Sequence, residues 1–436
     1  MKQVYIAVLG FGTVGYGVYQ VLRQNGDMIA HREGLKISIK RILVKDFVNE
    51  PNYDKAPKEL FVTGMDEIMA DPEINIVVEC MGGIEPARTC ILQALDAGKS
   101  VVTSNKEVIS KHWYTFDAAA RRTGAGLYIE ATVGGGIPLI RALTDGLQAS
   151  RIDRIMGIIN GTTNFILTKM SEEGLAFEDV LREAQANGFA EANPAADVEG
   201  YDACYKLSIL SSLAFHTHIP VATIYREGIT RLTVADFEIA KQLGYEIKLL
   251  AIGKKTESDK MLVETRVHPT MLKKTHPLAS IRGSFNAVFL HGNTVDDVML
   301  YGRGAGQLPT ASAVLGDVIY ACHHEGAHPQ VTFRNIPDTD SGTVVLKDWD
   351  SIYCIRLRVA DRPGVLSSIA GVFANHNVSL KTVLQSAESD EDKTKHIAKI
   401  TFITHMAREL SVQAALKDLV NLECTESIDG LIRVEE

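Results

Sequence analysis

Short apolar runs alternate with helical patterns over the first 130 residues. Apolar runs at 4–9, 37–44, 74–79 and 100–103 predict buried strands, and a helical pattern begins at Val14, just after the first run. Strands that alternate with helices in this way are typical of a parallel sheet. The N-terminal part of the chain is therefore predicted to be a doubly wound α/β domain.

The pattern changes between residues 134 and 215. Longer helical stretches are broken there by Asn-Gly and Asn-Pro turns at 160–161, 187–188 and 193–194. This texture predicts a separate α+β domain that binds substrate and mediates dimerisation. A glycine-rich segment at 302–306 then leads into another helical pattern, which we expect to return to the first domain.

The last part of the chain predicts a small third domain. Its elements are a strand, a helix at 364–375, a strand, a charged turn at 388–395, a strand, a helix and a strand. This βαββαβ order is the ferredoxin-like arrangement. The predicted divisions are a doubly wound domain at 1–132 completed by a helix from 303–325, a substrate and dimerisation domain at 133–325, a linker at 326–350 and a ferredoxin-like domain at 351–436.

Composition limits the class of protein. Hydrophobic residues make up 46% of the chain and charged residues 23%, as in soluble globular proteins. A net charge of -9 without a basic stripe argues against a nucleic-acid partner. No apolar run or signal-peptide pattern predicts a membrane span or secretion. The six cysteines have no C-x-x-C spacing, so a reducing cytoplasm is the expected location.

A glycine-rich turn joins the first strand to the first helix. It fits the pattern G-x-G-x-x-G and consists of Gly10, Phe11, Gly12, Thr13, Val14 and Gly15. In this pattern the first glycine permits a tight turn, the second lets the backbone approach a pyrophosphate, and the third lets helix and strand pack closely. The helix N-terminus then faces the anion. The turn therefore predicts an oxidoreductase that binds a nicotinamide dinucleotide.

The end of the second strand carries signals for both forms of this cofactor. An acidic residue here binds the ribose 2′-hydroxyl of NAD, whereas a basic residue suits the 2′-phosphate of NADP. Asp46 favours NAD, while Lys45 and Arg41 favour NADP, so the cofactor is NADP or NAD with the balance toward NADP. Lys106 follows the strand at 100–103, and ligands bind at the carboxyl ends of such strands. Lys106 is therefore a further candidate for the site.

The segment 191–206 combines four acidic residues with a lysine at the start of a helix. Asp202 and Lys206 are four residues apart, so they lie on one helix face within reach of each other. The rest of the helix is almost uncharged, and a buried helix seldom carries an ion pair without a purpose. A positioned lysine can act as a general acid toward a carbonyl oxygen, with Asp202 orienting it. Glu191 and Asp197 would suit an ammonium group.

A second glycine-rich turn, at 130–138, follows a predicted strand. Its three consecutive glycines expose carbonyl groups that suit a hard cation. They equally let the backbone approach a ligand closely. The residues alone leave both interpretations open.

Together these motifs resemble the homoserine dehydrogenase family in its longer form, which ends in an ACT domain. The resemblance covers nearly the whole chain. It is carried by Gly10 to Gly15, Ser104-Asn105-Lys106, and the segments 130–138, 157–165, 191–206, 302–310 and 361–366. One departure is Asn193-Pro194, where many relatives carry Asp-Pro.

The resemblance implies reversible reduction of L-aspartate 4-semialdehyde to L-homoserine, a step of threonine, methionine and isoleucine biosynthesis. Lys206 would donate the proton. Glu191 and Asp202 would contact homoserine, supported by Asp197. The cofactor would lie against Phe11, Thr13, Val14, Lys106, Gly188 and Gly304. A structural sodium ion would be bound by Glu130, Val133, Gly135 and Ile137.

The third domain resembles an ACT module, a type that commonly pairs and binds an amino acid at the interface. This implies L-threonine as feedback inhibitor in a homodimer or homotetramer. The nearest residues would be Asp361, Gly364, Val365 and Asn375. A purely dimerising role is the alternative for this domain. For the whole chain, the alternatives are an amino-acid sensor with a non-catalytic dinucleotide domain and a dehydrogenase of another amino-acid semialdehyde.

Overall fold

A computed structural model describes residues 1–257, 260–324, 343–385 and 396–436. Two sheets organise these residues, one of six strands and one of twelve. Within the described ranges, every helix is too short or too polar to span a bilayer.

The first sheet is parallel and confirms the predicted doubly wound α/β domain. Its strands are β1 (Lys2–Leu9), β2 (Leu35–Leu43), β3 (Phe61–Val62), β4 (Ile74–Glu79), β5 (Ser100–Thr103) and β6 (Leu127–Tyr128). Its helices are α1 (Thr13–Glu33), α2 (Asp66–Met69), α3 (Ala87–Asp96) and α4 (Lys106–Thr123). The strand order is β3-β2-β1-β4-β5-β6. The order therefore reverses between β1 and β4, where such sheets bind their ligands.

The middle of the chain builds most of the second sheet and the helices that pack on it. The strands are β7 (Ile152–Ile158), β8 (Tyr225–Arg226), β9 (Tyr245–Glu257), β10 (Met261–Lys273), β11 (Phe285–Gly292) and β12 (Asp296–Arg303). The helices are α5 (Leu139–Arg141), α6 (Gly161–Glu173), α7 (Phe177–Ala186), α8 (Ala195–Val198), α9 (Tyr201–Phe215), α10 (Val234–Gln242) and α11 (Gln307–His323). Apolar clusters cover the sheet on both faces. This buried sheet gives α9 a rigid support.

Helix α11 returns to the first domain. Its residues Ala311, Val314 and Val318 belong to the same apolar core as the strand β1. A Cβ atom added at Gly17 of α1 would lie 2.7 Å from the carbonyl oxygen of Gln307, which is closer than such atoms approach. The glycine in α1 therefore permits the two helices to pack tightly.

The C-terminal part has the predicted βαββαβ order. Its elements are β13 (Thr343–Val345), β14 (Asp350–Ala360), α12 (Val365–Asn375), β15 (Leu380–Gln385), β16 (Ile397–Thr404), β17 (Ala407–Arg408), α13 (Glu409–Val420) and β18 (Thr425–Glu435). The predicted charged turn at 388–395 lies outside the described residues. The predicted linker at 326–350 is described only from residue 343. That part is packed rather than irregular, because β13 pairs with β10 and Trp349 is 3% exposed.

One feature of the junction was absent from the sequence-based predictions. Strand β18 pairs in parallel with β10, in a register that sets Thr270 opposite Arg433, so one sheet runs through both regions. Arg433 is fully buried there and bonds to Glu409 at 2.6 Å and to Glu227 at 2.7 Å. Ion pairs within a buried sheet therefore hold this junction together.

Candidate active site

The glycine-rich turn between β1 and α1 has the geometry of an anion cradle. Gly10 has a φ of +87°, and a Cβ atom at Gly15 would overlap the Gly10 carbonyl oxygen. A Cβ at Gly12, by contrast, would meet nothing within 4 Å. No side chain caps the N-terminus of α1, so its first amide groups are available to a ligand. These observations fit a dinucleotide pyrophosphate.

The two glycines lead to a paired prediction. Gly15→Ala should destabilise the folded protein because the new methyl group has no space. Gly12→Ala should leave the melting temperature nearly unchanged, since its φ of -68° suits alanine and the space is open. Its methyl group would instead meet the pyrophosphate and weaken dinucleotide binding by about tenfold or more. Thermal melts and a dinucleotide titration separate the two effects; equal losses of stability would contradict this interpretation.

The two charged residues that follow β2, Lys45 and Asp46, differ in whether their side chains are available to bind a ligand. The carboxylate of Asp46 accepts hydrogen bonds from the backbone nitrogen atoms of Asn49 at 2.7 Å and Val48 at 3.0 Å. The bonds to Asn49 lower the pKa of Asp46. Lys45 is exposed and has no ion-pair partner in the described part of the chain. Asp46 is thus engaged in its own turn, whereas Lys45 is available to a ligand.

Lys206 and Asp202 form the predicted ion pair on helix α9. The distance between Lys206 Nζ and Asp202 Oδ2 is 2.6 Å, and the two residues are 8% and 6% exposed. Lys206 Nζ also donates to the carbonyl oxygen of Ile159 at 2.9 Å. Because α9 lies on the sheet, both side chains are fixed in place.

Residues from distant parts of the chain meet this pair. Lys106, the first residue of α4, places its Nζ 3.3 Å from Asp202 Oδ1. Asn160 donates from its amide nitrogen to Asp202 and to Asp197. The fold thus brings Lys106, Asp197, Asp202 and Lys206 together, as four of the predicted site residues. Asn160 was not predicted as a site residue, and its Asn-Gly sequence indicated only a turn.

The charges in this cluster oppose one another. Burial would raise the pKa of the Asp202 carboxyl, but the ammonium groups of Lys206 and Lys106 outweigh it and hold that pKa well below its ordinary value. The charge of Asp202 in turn raises the pKa of Lys106. Burial, together with the charge of Asp202, raises the pKa of Asp197. The site therefore holds the Asp202 carboxylate, which two ammonium groups stabilise, beside the Asp197 carboxyl group, whose pKa is raised.

A buried acid supports this edge of the first sheet. Glu79 at the end of β4 is fully buried, and burial raises its pKa. Its carboxyl group accepts bonds from Met81 N at 2.7 Å and from Thr103 Oγ1 at 2.6 Å. Asn105 caps α4 through Val108 N at 3.2 Å. This network fixes the start of α4 and hence Lys106. Sequence inspection missed Glu79, although it is the only charged residue in its strand.

Other predicted residues lie apart from this cluster. Glu191 and Gly188 are exposed, and the Glu191 side chain forms no ion pair with Lys206 or Lys106 in the described structure. Their loop is held by the bond from Thr162 Oγ1 to Phe189 O, at 2.6 Å. Gly304 is packed against the Asn286 side chain, which a Cβ atom would overlap. Close packing alone therefore explains why a glycine stands at 304.

The turn at 130–137 packs against the segment that contains Gly304. A Cβ atom at Gly135 would lie 2.6 Å from the Gly304 carbonyl carbon. The carboxylate of Glu130 accepts bonds from the first amides of α5, including Arg141 N at 2.8 Å. The Ile137 carbonyl accepts from Leu139 N, whereas the carbonyl groups of Val133 and Gly135 accept no hydrogen bond within the described residues. The carbonyl oxygens of these two buried residues thus remain for another partner.

The predicted effector residues do not converge within one chain. Asp361, Gly364 and Val365 lie at the start of α12, and Asn375 is its last residue. A helix of this length separates its ends by about 15 Å. A single amino acid therefore reaches both ends only if a second copy of this domain contributes one of them.

Comparisons with known proteins agree with this architecture. Residues 138–319 match the family model for homoserine dehydrogenase, 10–130 that for its NAD-binding domain, and 355–424 that for the ACT domain. The homoserine dehydrogenase of Corynebacterium glutamicum is 42% identical, over 99% of this chain and 95% of the relative.

Solved structures give the same result. A homoserine dehydrogenase from Thiobacillus denitrificans superposes with a TM-score of 0.91 at 39% identity, covering 100% of this chain and 99% of that one. A hyperthermophilic archaeal homoserine dehydrogenase in complex with NADPH superposes with a TM-score of 0.61 at 28% identity, covering 74% of this chain and 98% of that one. The chain belongs to the homoserine dehydrogenase family of oxidoreductases, with an NAD-binding domain, a catalytic domain and a C-terminal ACT domain.

Proposed function

We propose that this chain interconverts L-homoserine and L-aspartate 4-semialdehyde at the Lys206–Asp202 pair. The observation that carries the proposal is the convergence of Lys106, Asp202 and Lys206 at contact distances of 2.6 to 3.3 Å. The glycine-rich turn of the same chain provides the dinucleotide cradle. The bound dinucleotide supplies or accepts the hydride.

Lys206 is the proton donor in this mechanism. Its ammonium group has three hydrogens, and the bonds to Asp202 and to the Ile159 carbonyl use two of them. The third remains for a substrate oxygen. In reduction Lys206 gives a proton to the carbonyl oxygen of the semialdehyde, and in oxidation it takes the proton from the hydroxyl group of homoserine. The carboxylate of Asp202 orients the side-chain nitrogen of Lys206 toward the substrate.

The acidic residues nearby recognise the rest of the substrate. Asp197 is half-buried beside the pair and accepts a hydrogen bond from Asn160 at 2.7 Å. Its carboxylate suits the α-ammonium group of homoserine. Glu191 lies on an exposed loop and would reach the same group when that loop closes over the substrate.

The preferred cofactor is proposed to be NADP. Lys45 is exposed beside the nucleotide edge of β2, and the competing Asp46 is bonded within its own turn. The related archaeal enzyme was solved with NADPH. The free ammonium group of Lys45 suits a 2′-phosphate, which the NAD form lacks.

Replacement of Lys45 tests this preference. Lys45→Ala should raise the KM for NADP about tenfold, because a hydrogen bond to a charged phosphate is lost. The KM for NAD should change little. Lys36→Ala is the matched control, since Lys36 is exposed near the start of β2, whereas Lys45 follows its end. Steady-state kinetics with both cofactors measure the effect, and an equal change for NAD and NADP would contradict a phosphate contact.

The turn at 130–137 is proposed to hold a sodium ion. Backbone carbonyl groups are suitable ligands for a hard cation. The buried carbonyls of Val133 and Gly135 accept no hydrogen bond from the described residues. Together with Glu130 and Ile137 they would form a site that fixes the turn against Gly304.

Regulation is proposed to involve L-threonine and a paired ACT domain. The loop of Asp361, Gly364 and Val365 and the distal Asn375 lie at opposite ends of α12. A homodimer or homotetramer would place one end from each copy on the same effector. Binding of the effector would then require two copies of the chain to assemble.

One assay tests the proposed function. The purified protein is incubated with L-homoserine and NADP or NAD, with and without L-threonine, and reduced dinucleotide is followed by absorbance. We expect turnover with NADP, slower turnover with NAD, and inhibition by threonine. Light scattering of the same sample gives the oligomeric state. Absence of homoserine oxidation with both cofactors would overturn the proposal.

A further inference from the structure

Asn160 lies between two acidic side chains of the site. Its amide nitrogen donates to Asp197 Oδ1 at 2.7 Å and to Asp202 Oδ2 at 2.9 Å. An amide nitrogen carries two hydrogens, and both are used, one on each carboxylate. Asn160 is 5% exposed, so water has little access to replace these bonds.

The two carboxylates that Asn160 joins repel each other. Their accepting oxygens lie within 6 Å of each other, because both are within 3 Å of the same nitrogen. Lys206 and Lys106 contact Asp202, but neither forms an ion pair with Asp197 in the described structure. Asp197 has hydrogen bonds from two neutral side chains, those of Asn160 and Thr162, and of these Asn160 also bonds to Asp202.

The local chain fixes the orientation of this amide. Its oxygen accepts hydrogen bonds from the backbone nitrogen of Thr163 at 2.8 Å and from the Thr163 hydroxyl at 2.9 Å. The nitrogen must then face the carboxylates. The preceding residue, Ile159, accepts the bond from Lys206 Nζ at 2.9 Å. The adjacent residues Ile159 and Asn160 thus contact Asp197, Asp202 and Lys206.

We propose that Asn160 is a positioning residue that holds the carboxylates of Asp197 and Asp202 side by side. Asp197 then meets the substrate ammonium group while Asp202 stays paired with Lys206. The inference rests on the proposed function for the identity of the substrate. It assigns to the Asn160-Gly161 turn a role that its turn-forming sequence did not indicate.

The variant Asn160→Asp tests the proposal through its pH profile. Aspartate keeps the size of the side chain and the oxygen that caps α6. It also places a third carboxylate against Asp197 and Asp202, opposite only two ammonium groups, those of Lys206 and Lys106. Repulsion raises the proton affinity of this cluster, and the introduced carboxyl group regains one donor when it is protonated.

The relative activity of Asn160→Asp is expected to change with pH in one direction. At about pH 9 the kcat/KM for homoserine should fall about tenfold or more, because the donor is lost. The ratio of variant to unaltered kcat/KM should rise as the pH is lowered from that value, because repulsion among the three carboxylates raises the proton affinity of the cluster. The KM for the dinucleotide should remain the same. A ratio that does not change with pH would overturn the proposal.

Two further variants separate positioning from folding. Asn421→Asp makes the same change at an exposed asparagine of the C-terminal domain, whose amide nitrogen donates to Lys417 O at 2.9 Å, and it should give a ratio that is constant with pH. Asn160→Ser keeps an oxygen that can cap α6, so it should fold. Its hydroxyl group has one donor hydrogen instead of two, so the variant should lose activity at every pH. Unchanged kinetics in Asn160→Ser would also overturn the proposal. If the unaltered protein does not oxidise homoserine, the proposed function fails instead.

Discussion

Lys206→Met should lower kcat for homoserine oxidation about 10²- to 10⁴-fold, which is the usual contribution of a positioned proton-transfer group. Methionine fills the space of the lysine stem but carries no proton. The KM for the dinucleotide should stay near its original value, because the glycine-rich turn belongs to another domain. Steady-state and single-turnover rates measure the effect.

Loss of a buried partner complicates this variant, and the structure supplies the controls. Without Lys206, Asp202 keeps Lys106 and Asn160, so the loss of stability should be smaller than the about 3–5 kcal/mol that a buried charge without a partner costs. The double variant Lys206→Met, Asp202→Asn removes that charge and should recover stability without recovering turnover. Lys248→Met removes another buried lysine, whose pKa burial lowers to about 7, and should keep kcat. Retention of full turnover in Lys206→Met would exclude this lysine from the mechanism.

Arg433→Met should lower the free energy of unfolding by about 3–5 kcal/mol, the largest stability effect that we expect from one substitution. The guanidinium group is fully buried and bonds to Glu409, Glu227 and the Tyr225 hydroxyl, at 2.6 to 2.8 Å. Burial would raise the pKa of Glu409, but the bonds from Arg433 outweigh it and lower that pKa. Removing Arg433 leaves Glu409 buried with neutral donors only.

The fluorescence of Trp349 can follow unfolding at this junction. The chain contains two tryptophans, so a Trp113→Phe background leaves Trp349 as the single probe. Trp349 is 3% exposed and packs on Tyr225, with ring centroids 5.0 Å apart.

Arg362→Met is the control, since its ion pair is exposed and worth about 0–1 kcal/mol. Adding Glu409→Gln to Arg433→Met should restore part of the loss. Equal urea midpoints for the Arg433 and Arg362 variants would show that the buried pair is dispensable.

Local patterns in the sequence predicted much of this molecule. The strands β4 and β5 begin and end where their apolar runs do, and the spacing of Asp202 and Lys206 predicted their contact. Both results depend on residues that are near each other in the chain. The glycine-rich turn is of the same kind, because Gly10 has a positive φ and Gly15 packs on the Gly10 carbonyl within the same turn.

Contacts between distant segments account for most of what was missed. Strand β10 is buried on both faces yet contains Arg266, His268 and Pro269, so it shows neither an apolar run nor an alternating pattern. Lys106 was predicted at the cofactor, but only the three-dimensional fold places it on Asp202. Asn160 was hidden because an Asn-Gly dipeptide indicates a turn whatever its side chain contacts. Charge partners of this kind become visible only once the strands are in register.

The pairing of β18 with β10 also sets an order of folding. Thr270 of β10 finds its partner Arg433 only after the whole C-terminal domain has been synthesised. Contacts of such large sequence separation form slowly, and an unpaired strand edge is prone to pair with other chains in the meantime. The middle domain would therefore expose this edge on the ribosome until the last strand docks. Aggregation during synthesis, rather than loss of catalysis, is the expected first consequence of damage to β18.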